Sequence, residues 1–415
     1  MSERQESPVT RRRFLEKGSA IAVGAALTSA QDTASAGPAQ GEMKYRRFGR
    51  TGLMISEIGL GCASGLKSRM LGPVRFNQFR EDLPAIVHKL LDLGGNFVAT
   101  SYGYHDTEEL LGKGLKGRRD GVIIFTSPDP PRNTPEAVIE RCEASLKRFQ
   151  TDCIDCYFSH GRWNDAFYEG ALKLREQGKI RFIGLSCHVP ATHWELVEQD
   201  KLDFVFQPYN YMALAKWTER FDRDSVEELF AFCKKKDVGV LCMKPMTGHF
   251  VPNWAKDTSN PRAARVLREL EEFGKENLYQ ALLMWLLKNP NVCAAAVGMS
   301  TLQDVVEDCA AVTGKLTAMH HRLLEHYAAA CTDDYCRMCE TCIPSCPQGI
   351  RIPDVLRFRM YYKNYGHQED AREYYAGLAE DQRAGACTEC RLCEQTCPNR
   401  LAIVDKLKEA HGLLA

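Results

Sequence analysis

The residues best equipped for chemistry in this 415-residue chain are its cysteines, 18 in all. Two copies of one spacing stand near the C-terminus: Cys336-x-x-Cys339-x-x-Cys342-x-x-x-Cys346-Pro347 and Cys387-x-x-Cys390-x-x-Cys393-x-x-x-Cys397-Pro398. Three thiolates so spaced wrap one iron–sulfur cubane, and the fourth, after a longer gap, reaches the neighbouring one. The spacing predicts two [4Fe–4S] clusters, one held by Cys336, Cys339, Cys342 and Cys397, the other by Cys387, Cys390, Cys393 and Cys346. Zinc sites also use C-x-x-C pairs, but the full run with its terminal proline, present twice, is the ferredoxin pattern. A disulfide scaffold belongs to short secreted chains, not to one of this length. The remaining cysteines, Cys153 and Cys156 among them, read as small buried hydrophobes. Cys62, Cys187 and Cys242 fall at strand ends, where a fraction of them could line a pocket; Cys331 has no assigned role.

These groups need a scaffold. The composition, 44% hydrophobic and 26% charged, is that of a folded globular protein and excludes a disordered or collagen-like chain. Lys plus Arg equals Asp plus Glu at 54 each, so no net field draws in nucleic acid or an anionic membrane. No segment reaches the roughly 20 apolar residues of a membrane span. From Tyr45 on, β-branched runs alternate with amphipathic stretches, the signature of βα units. Strands are predicted over Glu57 to Cys62, Asn96 to Ser101, Val122 to Ser127, Cys153 to His160, Ile180 to His188, Phe204 to Asn210, Gly239 to Met246 and Val292 to Gly298. A helix is predicted after each: Leu83 to Leu93, Thr107 to Leu115, Pro135 to Phe149, Tyr168 to Gln177, Trp194 to Gln199, Val226 to Lys236, Leu278 to Lys288 and Leu302 to Thr313. The fold class is α/β, a (β/α)8 TIM barrel over residues 45–325, followed by a small α-helical domain over 326–415 with helices at Pro353 to Asn364 and Glu369 to Leu378. A doubly wound sheet is the alternative, but no G-x-G-x-x-G follows the first strand.

Certain motifs carry a resemblance. Tyr45-Arg46-Arg47-Phe48-Gly49-Arg50-Thr51-Gly52-Leu53 with Ile58-Gly59-Leu60-Gly61, Lys179 to Ser186, and Asp152 to Tyr157 leading to His160 resemble an aldo/keto reductase, with a hairpin capping the barrel bottom. The C-terminal module resembles an α-helical dicluster ferredoxin. The family resemblance implies a tyrosine acid tuned by a Lys–Asp pair, and a histidine that orients the carbonyl. The family run D-T-A-x-x-Y-G-x-x-E falls on Ala99 to Glu108, so Tyr104 keeps the acid position and Ala99 replaces the Asp. The family Lys falls at Ser127, and His160 is retained. Losing the cation removes what lowers a tyrosine pKa from about 10 toward working pH. Tyr102, two residues early, reproduces the Tyr-Gly dipeptide and would share Tyr104's direction if the strand continued. Lys244, after the seventh strand, either supplies a replacement cation or is a salt-bridged barrel lysine; both readings stand. His105, His188 and His249 read as hydrogen-bonded loop residues.

For a nicotinamide, the resemblance implies Ser186 and Gln207 at the carboxamide, Met243 where an aromatic usually stacks, and Gly298 and Ser300 before a helix N-terminus suited to phosphate. Gln303 and Asp308 occupy the nucleotide-contact helix, with Met299 in place of the lysine for a 2′-phosphate. NADP(H) or NAD(H) is the cofactor so implied. Residues 1–36 resemble a twin-arginine signal: Arg11-Arg12-Arg13-Phe14-Leu15, an apolar run from Gly18 to Ala30, and Ala34-Ser35-Ala36. Export of a folded, cluster-loaded protein to the periplasm is expected. The leading reading is an exported oxidoreductase acting on a small carbonyl or hydroxyl compound, exchanging electrons through the clusters and with a redox partner protein. A cluster moves one electron and a nicotinamide a hydride, and no flavin motif is visible to split the pair. A barrel without reductase chemistry that serves as an electron-transfer or binding partner, and a non-redox proton-transfer enzyme on a sugar-like substrate, are the alternatives.

Overall fold

The structure, a computed structural model, describes residues 43–62, 72–128, 134–161, 163–187, 190–211, 223–245, 278–331, 336, 341–365, 368–397 and 400–415. Residues 1–42, among them the twin-arginine pattern, and Cys339, His188 and His249 lie outside the described residues. The chain opens with an antiparallel hairpin, β1 (Tyr45–Arg47) and β2 (Met54–Ser56). Eight parallel strands then close into a barrel: β3 (Ile58–Gly61), β4 (Phe97–Ala99), β5 (Ile123–Thr126), β6 (Ile154–His160), β7 (Ile180–Ser186), β8 (Phe204–Pro208), β9 (Gly239–Met243) and β10 (Ala294–Val297). The ring closes where β10 pairs with both β3 and β9. Around it, in chain order, run α1 (Gly72–Asp92), α2 (Thr107–Gly114), α3 (Pro135–Phe149), α4 (Asp165–Glu176), α5 (Pro190–Glu198), α6 (Arg223–Lys235), α7 (Leu278–Leu287) and α8 (Leu302–Ala310), followed by α9 (Ala318–Cys331), which packs on α7.

Strand alternation divides the apolar residues into two cores. Val98, Ile124, Ile183, Leu185 and Val205 face the helices, while Phe97, Phe125, Phe158 and Phe204 fill the barrel. The inner rings meet edge to face, Phe97 with Phe125 at 5.7 Å and Phe125 with Phe204 at 5.4 Å, the arrangement that aromatic quadrupoles favour. Phe48 enters from the hairpin and plugs the bottom, 5.7 Å from both Phe125 and Phe204. Two glycines make room for these rings: a Cβ on Gly59 or Gly184 would lie 2.4 Å from the ring of Phe97 or Phe204. Arg46 pins the hairpin, bonding Glu57 and the carbonyls of Leu287, Asn289 and Val292. Asp155, on the outer face of β6 and fully buried, is satisfied by Arg119, Arg181 and the Ile124 N–H, so this buried charge is paired as burial demands.

The predicted strands are all present, but several stop short at their C-terminal ends. β4 ends at Ala99, β7 at Ser186 and β9 at Met243. At β9 the reason is local: Lys244 adopts a left-handed φ of 54° and Pro245 follows, which ends ladder pairing. Helix α1 starts at Gly72, well before the predicted Leu83, because the polar stretch before Leu83 hides the apolar period while Pro84 is carried inside the helix. Helix α3 matches its predicted bounds; Thr134 accepts the Ala137 N–H at 3.2 Å and Pro135 occupies the first turn. His193 on α5 is fully buried, and its Nε2–H donates to the Cys187 carbonyl at 3.2 Å.

The C-terminal segment carries its own core. Helices α10 (Ile352–Tyr365), α11 (Gln368–Ala376), α12 (Leu392–Gln395) and α13 (Ile403–Leu414) enclose Ile350, Val355, Tyr375, Val404 and Leu407. Among the described residues no helix is long and apolar enough to cross a membrane.

Two outcomes follow from this packing. Gly184→Ala should cost about 1–3 kcal/mol by overpacking, whereas Gly412→Ala, in open space on α13, should leave urea denaturation midpoints unchanged or raised. Burial pushes His193 down to about 4. A His lowered in the fold is protonated first in the unfolded state, so its contribution to stability is present above its ordinary range near 6.5 and is lost as pH falls toward 4. Stability should drop by about 2 kcal/mol between pH 7 and pH 5 from this group alone, and His193→Leu should flatten that slope in parallel denaturation series.

Candidate functional site

At the C-terminal mouth the strand ends bring together three of the predicted residues. His160 closes β6 and stands in register with Ser186, which closes β7. Tyr104 comes from the turn after β4, and its ring meets His160 edge-on, with centroids 6.2 Å apart at 71°. Phe158 lies beneath the imidazole at 6.1 Å, which gives the mouth an apolar floor. A phenol and an imidazole side by side at a barrel mouth can pass a proton to, or take one from, an oxygen bound between them.

Tyr102 does not share this direction. The strand has already ended, the Tyr104 N–H turns back to the Ser101 carbonyl at 3.0 Å, and the two tyrosines diverge. Tyr102 is sandwiched between guanidiniums, with Arg141 3.8 Å and Arg148 3.7 Å from its ring centre. Arg148 also donates to the Tyr102 carbonyl at 3.1 Å and to Glu108 at 3.4 Å. Glu108 is buried, which raises its pKa, while Thr126, Ser145 and Arg148 act against that shift. The Arg148 clamp, which sequence reading missed, fastens the turn that presents Tyr104.

Where the resemblance places an Asp–Lys pair, the structure has a neutral one. Ala99 faces the inner core, and Ser101 and Ser127, both fully buried, share a 2.8 Å hydrogen bond. Alternation along β4 and β5, carried one step past each strand, was the signal that could have paired them. The two halves of the ion pair are lost together, so neither leaves an unpaired buried charge, the costly case. Lys244 stands just beyond β9, its carbonyl accepting from Asn210 at 3.2 Å. Its positive φ is the kind of backbone strain that functional sites retain.

The residues expected at a nicotinamide divide. Gln207 lies on β8, in register with Cys242, and its buried Oε1 accepts no hydrogen bond. A buried orphan acceptor is costly, and the amide N–H of a carboxamide would satisfy it once the Gln207 side chain turned toward the mouth from the outer face that it shares with Val205 and Tyr209. Met243, half-buried, borders the inner core. The helix N-terminus after β10 differs from expectation. The N–H groups of Ser300 and Thr301 both donate to Asp304 Oδ2, at 2.9 and 3.0 Å, and the Asp304 N–H returns to Thr301 in a capping box. The donors expected at Ser300, next to Gly298, are therefore taken by a carboxylate, and Met299 is fully buried. Gln303 points outward and bonds Glu307, while Asp308 is buried. Cys62, Cys187 and Cys242 do not line the pocket; alternation turns them into the outer core, where burial raises the Cys62 and Cys242 thiols.

In the C-terminal domain, Cys346, Cys387, Cys390 and Cys393 line one cavity together with Arg391 and Val404. This is the mixed set that the spacing assigned to one cubane. Among the described residues no three His, Cys, Asp or Glu side chains are gathered as a single metal ion would need; these four thiols ring a space instead. Burial, then Glu394 and the three companion thiols, push Cys393 up to about 11, so its thiolate calls for a cationic partner such as iron. The donor set fits a [4Fe–4S] cluster. Of the other set, Cys342 is buried and Cys336 and Cys397 pack against the same core.

Residues 58–328 match the aldo/keto reductase family and residues 335–403 match a 4Fe-4S dicluster domain. The chain is 30% identical over 296 residues to L-galactose dehydrogenase of Arabidopsis thaliana, covering 66% of this chain and 89% of that protein. Among solved structures it resembles an aldo-keto reductase from Bacillus halodurans in its holo form, with a TM-score of 0.54, 23% identity, and coverage of 69% of this chain and 97% of that one. An aldo-keto reductase from Klebsiella pneumoniae in complex with NADPH gives a TM-score of 0.51 at 22% identity, covering 68% and 94%. At such identities the solved structures bear on the fold alone.

The cavity makes a direct prediction about ligation. Cys346→Ser and Cys387→Ser should each cost the same cluster, lowering iron per chain toward about half, and the double variant should lose no more than either single one. Additive iron loss in the double variant would show that each run serves its own cluster.

Proposed function

This chain belongs to the aldo/keto reductase family and ends in a 4Fe-4S dicluster domain, which makes it an oxidoreductase, and from that premise we propose that it interconverts the hydroxyl and carbonyl forms of a small, sugar-type compound at the barrel mouth. The observation that carries this reading is the contact of Tyr104 with His160 at the strand ends. His160 holds the substrate oxygen, and the Tyr104 phenol gives it a proton in reduction or takes one, through the same hydrogen bond, in oxidation. Phe158 excludes water from the floor. Ser186 and Gln207 would hold a nicotinamide by its carboxamide; when bound, that group supplies or accepts the hydride. A polyhydroxy substrate is supported by the relative named for L-galactose, and a nicotinamide by membership of the aldo/keto reductase family.

Oxidising one hydroxyl to a carbonyl releases two electrons and two protons. Cys336, Cys339, Cys342 and Cys397, and Cys387, Cys390, Cys393 and Cys346, would hold two [4Fe–4S] clusters, which supply one-electron transfer toward a redox partner protein, and the hydride's pair would have to reach them one electron at a time. The twin-arginine pattern in residues 1–36 supports export of the folded, cluster-loaded protein to the periplasm.

Anaerobic titration of the cluster-loaded protein with NADH and NADPH, followed by cluster absorbance, tests the link. Bleaching is expected. Its absence while dithionite still reduces the clusters would sink the nicotinamide-to-cluster route. Tyr104→Phe should lower turnover by about 10²–10⁴-fold, whereas Tyr102→Phe, outside the mouth, should keep most of it. Equal activity of Tyr104→Phe and the parent would remove the phenol from the mechanism.

A further inference from the structure

Glu394 directly follows the ligand Cys393 on the short helix α12, with a side chain only 17% exposed. Its Oε1 accepts the Val404 N–H at 2.9 Å. That N–H belongs to the first turn of α13, where no carbonyl of the helix can reach it. Its Oε2 accepts from Arg391 Nη1 at 3.0 Å. Arg391 and Val404 both line the cavity ringed by Cys346, Cys387, Cys390 and Cys393. Arg391 holds a left-handed φ of 59° immediately before α12, so the chain accepts strain to keep the guanidinium there. One carboxylate thus fastens the cysteine loop to the C-terminal helix and completes a charge pair at the cavity wall.

On the reading that this cavity holds a [4Fe–4S] cluster, we propose that Glu394 is the positioning residue of that cluster and that the Glu394–Arg391 pair sets its reduction potential. Reduction adds one negative charge to the cubane, and the local charge is one of the levers on its potential. A carboxylate beside a ligand opposes that added charge, and a guanidinium on the cavity wall favours it. The pair holds the two influences against each other, and the Val404 hydrogen bond keeps the carboxylate from swinging into solvent. Both residues act through the cluster environment.

The test is an anaerobic redox titration, followed by electron paramagnetic resonance, of the full cluster-loaded chain as parent, Glu394→Gln, Arg391→Gln and Glu394→Ala, with iron per chain measured alongside. Glu394→Gln keeps an amide oxygen for the Val404 N–H, so it should retain its iron and shift the midpoint of one cluster to a more positive potential. Arg391→Gln should shift the same cluster to a more negative one. Glu394→Ala should also lose iron, toward about half of the parent content. Midpoints that stay put, or move the same way in both glutamine variants, overturn the potential-setting role. Full iron in Glu394→Ala overturns the positioning role. A parent with no cluster signal at all overturns the cluster reading itself, a separate failure that the iron count identifies.

Discussion

Strands of three to seven residues cannot hold a parallel sheet together at an open edge, where a row of backbone N–H and C=O groups would be left unpaired. Closing the ring by pairing β10 with β3 removes the edge, and the rest of the molecule depends on that closure. Once closed, the barrel has an interior that side chains must fill, and five phenylalanines with the hairpin's Phe48 fill it, most of them meeting edge to face. The hairpin plugs one end. The other end, where the strands stop and the chain turns outward, is left for chemistry.

The mouth built on that closure sets a tyrosine against a histidine and lacks the ion pair that the family resemblance would set beneath it. Ala99, Ser101 and Ser127 form a neutral patch with its hydroxyls mutually satisfied. The exchange is coherent in energy, since replacing both halves of a buried ion pair is close to neutral while losing one half leaves a charge stranded. It also changes what Tyr104 can rely on, because no cation stands at those positions. The strained Lys244 beside the mouth and the clamp of Arg141 and Arg148 on Tyr102 are where this chain departs most from a plain barrel.

The C-terminal domain works by another rule. Its apolar core is small, and a pocket against it is lined by four thiols, one arginine and apolar side chains such as Ile350, Val404 and Leu407. A bound cluster would add its binding free energy to the folding of so small a core. The proposed crossed ligand set, three cysteines from one run and the last from the other, would tie the two runs together as a disulfide does in a secreted domain. Glu394 adds a tie of its own between the second run and α13.

Much of this was legible in the residues alone. Alternation and helical period located every barrel strand, because a strand buried on both faces must be apolar throughout and a helix lying on it must be apolar on one side. The cysteine spacing pointed to an iron–sulfur domain, because a cubane's geometry dictates its chain gaps, and residues 335–403 match a 4Fe-4S dicluster domain. The sequence could not say where each strand stopped, since that depends on backbone angles such as those at Lys244, and so it left Tyr102 and Tyr104 undivided. It could not pair Ser101 with Ser127, nor show Asp304 occupying the N–H groups at Ser300. It also placed Cys62, Cys187 and Cys242 near a pocket that they face away from. Those outcomes belong to the tertiary structure, because which side of a strand end meets the mouth is decided by register between neighbouring strands, and register is a relation between segments that no single segment encodes.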